Sequence, residues 1–351
     1  LDAASAARRG VSSLEHLTTG AAEVSLDDLA TRRSTLRIDD VATVMYTSGT
    51  TGSPKGITFS HRNIVFKRFA RALALPEIGE DDRFLCYLPL FHTFGRFLEL
   101  TGCVFWGATY CFAENPGVET LARQMRELEA TVLISIPMKW MQLYESVRQN
   151  VDTETADDAE IEPAVRRLVG PGLRWGLSAA GYLDPEIFRF FQRYGVELMS
   201  GFGMTEATGG ITMTPPGRYR EASLGPALPG IEISLAEDGE LLIRGPYVMR
   251  GYLDPPEGVE SFDPEGWLHT GDLMEMDDDG FIRIVDRKKE IYKNLNGQTI
   301  SASSTCRHSS PRSSRRTFVP WWSAPTPSSH RSSASWTSRS SRGPSTPNAA
   351  S

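Results

Sequence analysis

Short apolar runs alternate with longer amphipathic stretches between residues 41 and 200. The apolar runs have the length of buried strands, and they lie at residues 41–46, 84–88, 131–136, 174–178 and 196–200. The stretches between them repeat apolar residues at helical spacing, which predicts helices at residues 61–74, 118–130, 138–150 and 185–194. Asp184 and Pro185 suit the N-cap and the first position of the last helix. This alternation indicates an α/β fold with a mostly parallel sheet and flanking helices.

The pattern changes after residue 217, where short runs are broken by Gly, Pro and Asp. Residues 231–235, 240–244 and 281–285 lie between turn signals, which predicts a small antiparallel β subdomain. Acidic residues 153–162 predict a solvated loop. The chain then divides into five parts: a remnant or linker at 1–40, an α/β part at 41–216, a β subdomain at 217–287, a hinge with the start of another domain at 288–301, and a low-complexity tail at 302–351.

The composition separates the tail from the rest of the chain. The tail is rich in Ser, Arg and Pro without apolar periodicity, so we expect it to be disordered. The tail contains seven of the 37 basic residues and no acidic residue. The rest of the chain therefore has 30 basic and 44 acidic residues, a net charge of −14. An acidic body argues against nucleic acid as a partner. No apolar run reaches the roughly 18 residues of a transmembrane helix, and the four Cys lack metal-binding spacing, which favours a cytoplasmic protein.

Residues 46–56 read YTSGTTGSPKG and follow the first apolar run. Glycine lets backbone amides approach a ligand, and hydroxyl groups with a lysine add donors and one positive charge, so the segment suits a polyphosphate. The spacing differs from that of a Walker A loop. The competing interpretation is a flexible Gly/Ser/Thr linker.

Three further segments are weak signals when taken singly. Residues 201–206, GFGMTE, offer an aromatic face, a hydroxyl group and a carboxylate that suits Mg²⁺, although a strand-to-turn corner explains them equally well. Residues 267–272, WLHTGD, place a carboxylate after a glycine, where it could accept ribose hydroxyls. The charged residues 286–290, DRKKE, are typical of a solvated face.

Together and in this order, these segments resemble the adenylate-forming superfamily, which includes acyl-CoA synthetases. The resemblance covers about residues 41–300 and includes GELLIRGP at residues 239–246. It implies that a fatty acid reacts with ATP to form an acyl-adenylate, from which coenzyme A displaces AMP. ATP, Mg²⁺ and coenzyme A are therefore the implied cofactors.

The resemblance also implies the role of each site residue. Those that would bind the β- and γ-phosphates are Thr47, Ser48, Gly49, Thr50, Thr51, Gly52 and Lys55. Those that would contact adenine are Ser178, Ala179, Ala180, Gly181 and Phe202, followed by Gly203. Thr205 would bind the α-phosphate, and with Glu206 it would hold Mg²⁺. Asp272 and Arg287 would bind the ribose. His92 matches a position beside the reacting carboxylate, and its competing interpretation is a buried, hydrogen-bonded histidine.

Substrate class and completeness are open at this point. Bulky apolar residues, including Phe91, Phe94, Phe97, Trp106, Met138, Trp140 and Met141, suit an alkyl chain, although ordinary core packing accounts for them as well. The long-chain fatty-acid–CoA ligases are the most similar group. Peripheral membrane association is left open.

The family pattern is incomplete after Ile300. A hinge aligns with Lys289, but no lysine follows Lys293, although the family carries a late catalytic lysine. We therefore expect a chain truncated at both ends, with a frameshifted tail and impaired activity. The alternatives are an inactive nucleotide-binding remnant and a ligase for another carboxylic acid.

Overall fold

The computed structural model describes residues 13, 16, 18–19, 24–47, 54–255, 261–288, 291–293, 299–301 and 316–318. Its helices are α1 Leu26–Thr35, α2 His61–Ala74, a π-helix Phe94–Leu100, α3 Thr101–Trp106, α4 Val118–Glu127, α5 Pro137–Arg148, α6 Asp158–Val169, α7 Pro185–Arg193 and a 3₁₀ turn Thr205–Ala207. Its strands are β1 Val41–Thr47, β2 Lys55–Ser60, β3 Arg83–Cys86, β4 Thr109–Phe112, β5 Val132–Ser135, β6 Trp175–Ser178, β7 Glu197–Met204, β8 Gly209–Met213, β9 Glu232–Leu235, β10 Glu240–Arg244, β11 Gly251–Leu253, β12 Leu268–Met276, β13 Ile282–Arg287, β14 Ile291–Lys293, β15 Thr299–Ser301 and β16 Arg316–Phe318.

A six-stranded sheet in the order β4-β3-β5-β6-β7-β8 forms the centre of the α/β part. Every neighbouring pair in it is parallel except β7 with β8. Helices α4 to α7 pack on one face, where Trp140 and Phe191 are fully buried. The other face packs on Phe94 and Leu98 of the π-helix. The predicted α/β fold with a mostly parallel sheet is confirmed, and α7 has its predicted N-cap at Asp184.

The first predicted strand lies outside this parallel sheet. β1 pairs antiparallel with β2, and β11 joins the other side of β2. β1 and β2 are therefore the two strands of a hairpin, since a parallel crossover between them would need a dozen or more residues. The hairpin brings Thr47 and Lys55 opposite each other.

Other boundaries also differ from the sequence-based prediction. β7 continues through Gly201–Met204 rather than ending at Ser200, because β8 pairs with it there. Residues 158–169 form α6, with Asp157 as N-cap, where we predicted a solvated loop up to residue 162. α1 lies within the predicted linker and buries none of its residues.

An antiparallel sheet in the order β13-β12-β10-β9-β16 forms the predicted β subdomain. One apolar cluster lies between this sheet and the hairpin, and it contains Ile57 of β2, Ile243 of β10 and Met274 of β12. At the start of α2, a capping box joins Ser60 and Asn63, and Asn63 Nδ2 also donates to the carbonyls of Pro246 and Val248. These contacts fix the hairpin against the segment that leads to β11.

Candidate active site

One tyrosine lies between the end of the glycine-rich hairpin and the predicted magnesium ligand. Lys55 Nζ lies 5.0 Å from the centroid of the Tyr252 ring. The Tyr252 hydroxyl donates to Glu206 Oε1 at 3.1 Å. Tyr252 reaches this position because β11 pairs with β2, which carries Lys55. The Tyr252 side chain thus contacts both Lys55 and Glu206. Residues 48–52 of the predicted phosphate loop lie outside the described part of the chain.

The backbone around Glu206 is held in a specific conformation. Thr205 and Glu206 begin a 3₁₀ turn that ends at Thr208, whose φ is +52°. The Thr208 hydroxyl donates to the Tyr247 carbonyl at 2.6 Å, and the Met249 amide donates to the Glu206 carbonyl at 2.7 Å. A left-handed conformation in a residue other than glycine costs about 1–3 kcal/mol and persists only where such contacts hold it. These contacts fix where the Thr205 and Glu206 side chains begin.

The Glu206 carboxylate fits magnesium chemistry. Glu206 is half-buried. The burial of the Tyr252 hydroxyl and the negative charge of Glu206 both raise the pKa of that hydroxyl. Among the described residues, no group of three or more His, Cys, Asp and Glu side chains could hold a metal by itself. Mg²⁺ is commonly bound by one or two carboxylates together with substrate phosphates. The donor set therefore suits a magnesium ion that arrives with a nucleotide.

The predicted adenine contacts lie where two parallel strands end side by side. Ser178 of β6 is in register with Ser200 of β7, so Ala179 and Phe202 follow at the same edge of the sheet. The Ser178 hydroxyl is buried without a hydrogen-bond partner among the described residues, and Ala180 has a φ of +66°. Ala179, Phe202 and Gly203 line a small cavity together with Phe94. Gly181 is exposed beside Pro137.

His92 lies at the same end of the sheet, in the loop that leads to the π-helix. His92 is exposed as a residue, although its imidazole ring is partly buried. The Phe94 amide donates to His92 Nδ1 at 3.3 Å. Partial burial lowers the pKa of the imidazole, which favours the neutral form at pH 7. Arg96 ties this loop to the hairpin, since it donates to the Leu90 carbonyl at 2.8 Å and to Thr43 Oγ1 at 3.0 Å.

The predicted apolar residues do not share one environment. Phe94, Phe97 and Trp140 are buried, whereas Phe91 is 77% exposed. Met138 and Met141 are exposed as well. An apolar cavity lies beneath the sheet and includes Trp106. Most of the predicted set therefore belongs to the core or the surface, and Phe94 and Trp106 are the members that line cavities.

Asp272 and Arg287 form an ion pair across two antiparallel strands. They are direct partners in the β12–β13 register, and Arg287 Nε donates to Asp272 Oδ1 at 2.8 Å. Asp272 is 2% exposed, whereas Arg287 is largely exposed. A ribose that approached this site would therefore meet the guanidinium before it reached the carboxylate.

A second charged group beside Asp272 was not predicted. Glu240 is 3% exposed and accepts from the Gly271 amide at 2.9 Å, from Lys288 Nζ at 2.8 Å and, at 3.0 Å, contacts His269 Nδ1. Burial raises the pKa of Glu240, but these hydrogen bonds outweigh it and the net shift is downward. Asp238 and Glu240 raise the pKa of Lys288 to about 12. Glu240 thus holds the backbone that carries Asp272. It lies in the GELLIRGP segment at residues 239–246, whose resemblance to the family implied no role for this residue.

The chain belongs to the AMP-binding enzyme family, whose model matches residues 4–253. Its curated relatives are named as ligases. The fadD11 protein of Mycobacterium tuberculosis, provisionally named a fatty-acid–CoA ligase, is 32% identical over 300 residues, which cover 74% of this chain and 52% of that protein. Long-chain-fatty-acid–CoA ligase 1 of Schizosaccharomyces pombe is 30% identical over 308 residues, which cover 74% of this chain and 45% of that protein. The chain thus spans about half the length of the curated relatives it matches.

A solved structure supports the same fold. The o-succinylbenzoate coenzyme A synthetase MenE of Bacillus subtilis, in complex with ATP and a magnesium ion, aligns with a TM-score of 0.61 and 28% identity, over 76% of this chain and 54% of that one. The acids named for these relatives differ, so membership of the adenylate-forming ligases does not fix the acid. Within the described residues, no helix is long and apolar enough to cross a membrane.

Proposed function

We propose that the protein activates a fatty acid with ATP to an acyl-adenylate, with release of pyrophosphate, and then transfers the acyl group to coenzyme A, with release of AMP. The observation that carries this proposal is the contact of Tyr252 with both Lys55 and Glu206. Tyr252 places Lys55, at the start of β2, near Glu206 of the GFGMTE segment. A site for the phosphates of one nucleotide requires these two groups to lie close together. Membership of the AMP-binding enzyme family supports the nucleotide.

The chemistry explains why these groups are needed. Attack of a carboxylate on the α-phosphorus brings two anions together, so the barrier is largely electrostatic. Lys55, the amides of residues 47–52 and the Thr205 hydroxyl would bind phosphate oxygens, and Mg²⁺ held by Glu206 would supply further charge stabilisation. Asp272 and Arg287 would bind the ribose, while Phe202 and residues 178–181 would contact adenine. His92, neutral at pH 7, would donate or accept a hydrogen bond beside the reacting carboxylate.

A fatty acid as substrate is supported by the curated relatives that are named as fatty-acid–CoA ligases. An apolar cavity beneath the sheet encloses about 20 Å³, which is room for about one water molecule and not for an acyl chain. Its lining is apolar apart from Arg71, and it includes Leu75, Phe84, Leu98, Trp106 and Trp175. It adjoins the cavity at the ends of β6 and β7, because Leu177 lines both.

Acyl-hydroxamate formation tests the proposal. The full chain is incubated with ATP, Mg²⁺, hydroxylamine and octanoate, oleate or benzoate, beside a Glu206→Gln variant that keeps the size of the side chain. We expect hydroxamate from the fatty acids and a loss of about 10²–10³-fold in the variant. Nucleotide binding without any product would instead identify an inactive nucleotide-binding remnant, and product from benzoate alone would identify a ligase for another carboxylic acid.

A further inference from the structure

The loop that carries His92 folds back onto the start of the π-helix. The His92 amide donates to the Pro89 carbonyl at 3.0 Å, and the Arg96 amide donates to the His92 carbonyl at 3.0 Å. A Cβ atom at Gly95 would lie 2.5 Å from the Pro89 carbonyl oxygen, so this close approach of backbone to backbone depends on glycine. The backbone of the loop therefore packs directly against the π-helix.

The hydrogen bond at Nδ1 decides which nitrogen of the His92 imidazole carries the proton. Nδ1 accepts from the Phe94 amide at 3.3 Å, and the imidazole lies edge-on to the Phe94 ring, with 5.2 Å between the ring centroids. A neutral imidazole that accepts at Nδ1 has its proton on Nε2. Nε2 is therefore the donor that the proposed function needs beside the reacting carboxylate, and its position depends on the loop.

The Arg96 side chain joins this loop to the β1–β2 hairpin. Its Nε donates to the Leu90 carbonyl at 2.8 Å, and its Nη1 donates to Thr43 Oγ1 on β1 at 3.0 Å. Leu90, Phe91 and His92 are all exposed, so packing holds the tip of the loop only weakly. A guanidinium presents its donors in a fixed planar fork, and this fork therefore sets the separation between the loop and β1.

The residue after Arg96 packs the same helix onto the hairpin from the inside. Phe97 is 1% exposed, and its ring meets the Phe59 ring of β2 edge-on, with 5.4 Å between the ring centroids. A buried aromatic pair of this geometry stabilises the junction of the two elements, whereas Arg96 is only half-buried. Phe97 thus holds the π-helix on the hairpin, and Arg96 orients the tip of the loop.

The proposed reaction needs a fixed distance between the two elements that Arg96 connects. The hairpin carries Thr47 and Lys55, which the proposed function assigns to the phosphates, and the loop carries His92, which it assigns to the acid. The reacting atoms must lie about 3–3.5 Å apart and in line, and a misplacement of about 1 Å can lower the rate about 100-fold. A side chain that sets this distance therefore affects the rate without binding either substrate.

We propose that Arg96 is a positioning residue, which holds His92 at the distance from the β1–β2 hairpin that lets the acid attack the bound nucleotide. This inference rests on the proposed activation of a fatty acid. In that step a carboxylate oxygen forms a bond to the α-phosphorus, and the bond that breaks releases pyrophosphate. Arg96 exchanges no proton with either group. If Arg96 instead bound a substrate directly, its removal would lower the affinity for that substrate.

Steady-state hydroxamate formation by the full chain, with octanoate, ATP and Mg²⁺, tests the proposal. Arg96→Met should lower kcat about 10- to 100-fold, while KM for ATP and KM for octanoate each change by less than about threefold. Arg96→Lys keeps a charged donor without the planar fork and should retain an intermediate kcat. Thr43→Val removes only the acceptor on β1 and should also lower kcat, and the double variant should be no slower than Arg96→Met. A raised KM with an unchanged kcat in Arg96→Met would overturn the inference.

Hydrogen–deuterium exchange measures the same link without relying on activity. The amides of His92 and Arg96 should exchange about tenfold faster in Arg96→Met than in the wild type. Arg126 provides the matched control, because its Nη1 also donates to two carbonyls, those of Ala122 in α4 and Leu168 in α6, each at 3.0 Å. Arg126→Met should leave the exchange of the loop unchanged and kcat within about twofold of the wild type. Unchanged exchange in Arg96→Met would overturn the inference; if that variant does not fold, Thr43→Val and Arg96→Lys supply the comparison.

The two experiments separate this inference from the proposed function. A wild-type chain that forms hydroxamates, with an unchanged kcat in Arg96→Met, refutes only the role of Arg96. A wild-type chain that forms no hydroxamate from any acid refutes the proposed activation, and the exchange measurement then still decides whether Arg96 fixes the loop to the hairpin.

Discussion

Replacing Glu240 by alanine should destabilise the protein and weaken its nucleotide binding together. Glu240 is buried and accepts hydrogen bonds from the Gly271 amide and from Lys288 Nζ. The truncation leaves a partly buried amide next to Asp272 without its acceptor. Because Arg287 is held by Asp272, we expect movement of this backbone to disturb the proposed ribose site.

The size of the effect follows from what each partner loses. A buried amide without an acceptor costs about 1–3 kcal/mol. Lys288 and His269 are about half exposed and can turn toward water, so their contacts add at most about 1 kcal/mol. We therefore expect the free energy of unfolding to fall by about 1–4 kcal/mol.

Urea denaturation at pH 7 measures this loss, and isothermal titration with ATP measures the accompanying fall in affinity. Asp238→Ala is the matched control, since Asp238 contacts the same Lys288 but is 50% exposed and should contribute less than about 1 kcal/mol. Equal effects of the two substitutions, or a change in Glu240→Ala below about 0.5 kcal/mol, would refute the assignment of Glu240 as a positioning residue.

Three further predictions concern the same groups. Tyr252→Phe keeps the ring beside Lys55 but removes the donor to Glu206, so Mg²⁺-dependent ATP affinity should fall about tenfold in a titration, while the metal-free affinity stays unchanged. Arg287→Met should lower the free energy of unfolding by about 1.5–3 kcal/mol, because it takes a charged hydrogen-bond partner from the buried Asp272 carboxylate, and should also weaken ATP binding measurably; a thermal shift by ATP equal to that of the wild type would contradict this. The lowered pKa of Glu240 means that its stabilisation is complete above the ordinary value of 4.5 and is lost as the pH falls through the lower folded-state pKa, so Glu240→Gln should flatten the acid limb of stability measured between pH 3 and 7.

The sequence predicted elements whose local pattern agrees with their packing. α2 has the predicted bounds because Ser60 and Asn63 cap it and its residues keep helical spacing. β7 was predicted too short, since the apolar run ends at Ser200 and is followed by glycines at residues 201 and 203. A Cβ atom at Gly203 would collide with the Gly209 carbonyl, so this glycine permits close pairing of β7 with β8.

Site residues that lie in recognisable sequence motifs could be predicted. Residues that reach the site only through pairing of distant strands could not. Asp272 and Arg287 were predicted from separate motifs, and the β12–β13 register pairs them. Tyr252 was missed because its approach to Glu206 depends on β11 joining β2, a pairing between distant parts of the chain. The burial of Arg71 was not predicted, because charged residues are mostly exposed.

Titration of the full chain with MgATP tests whether Lys55 and Glu206 bind the phosphates of one nucleotide. We expect a single binding site that Lys55→Met and Glu206→Gln each weaken by about 10- to 100-fold, and the loss in Glu206→Gln should occur only when Mg²⁺ is present. Absence of MgATP binding, or equal affinity in the wild type and both variants, would contradict it.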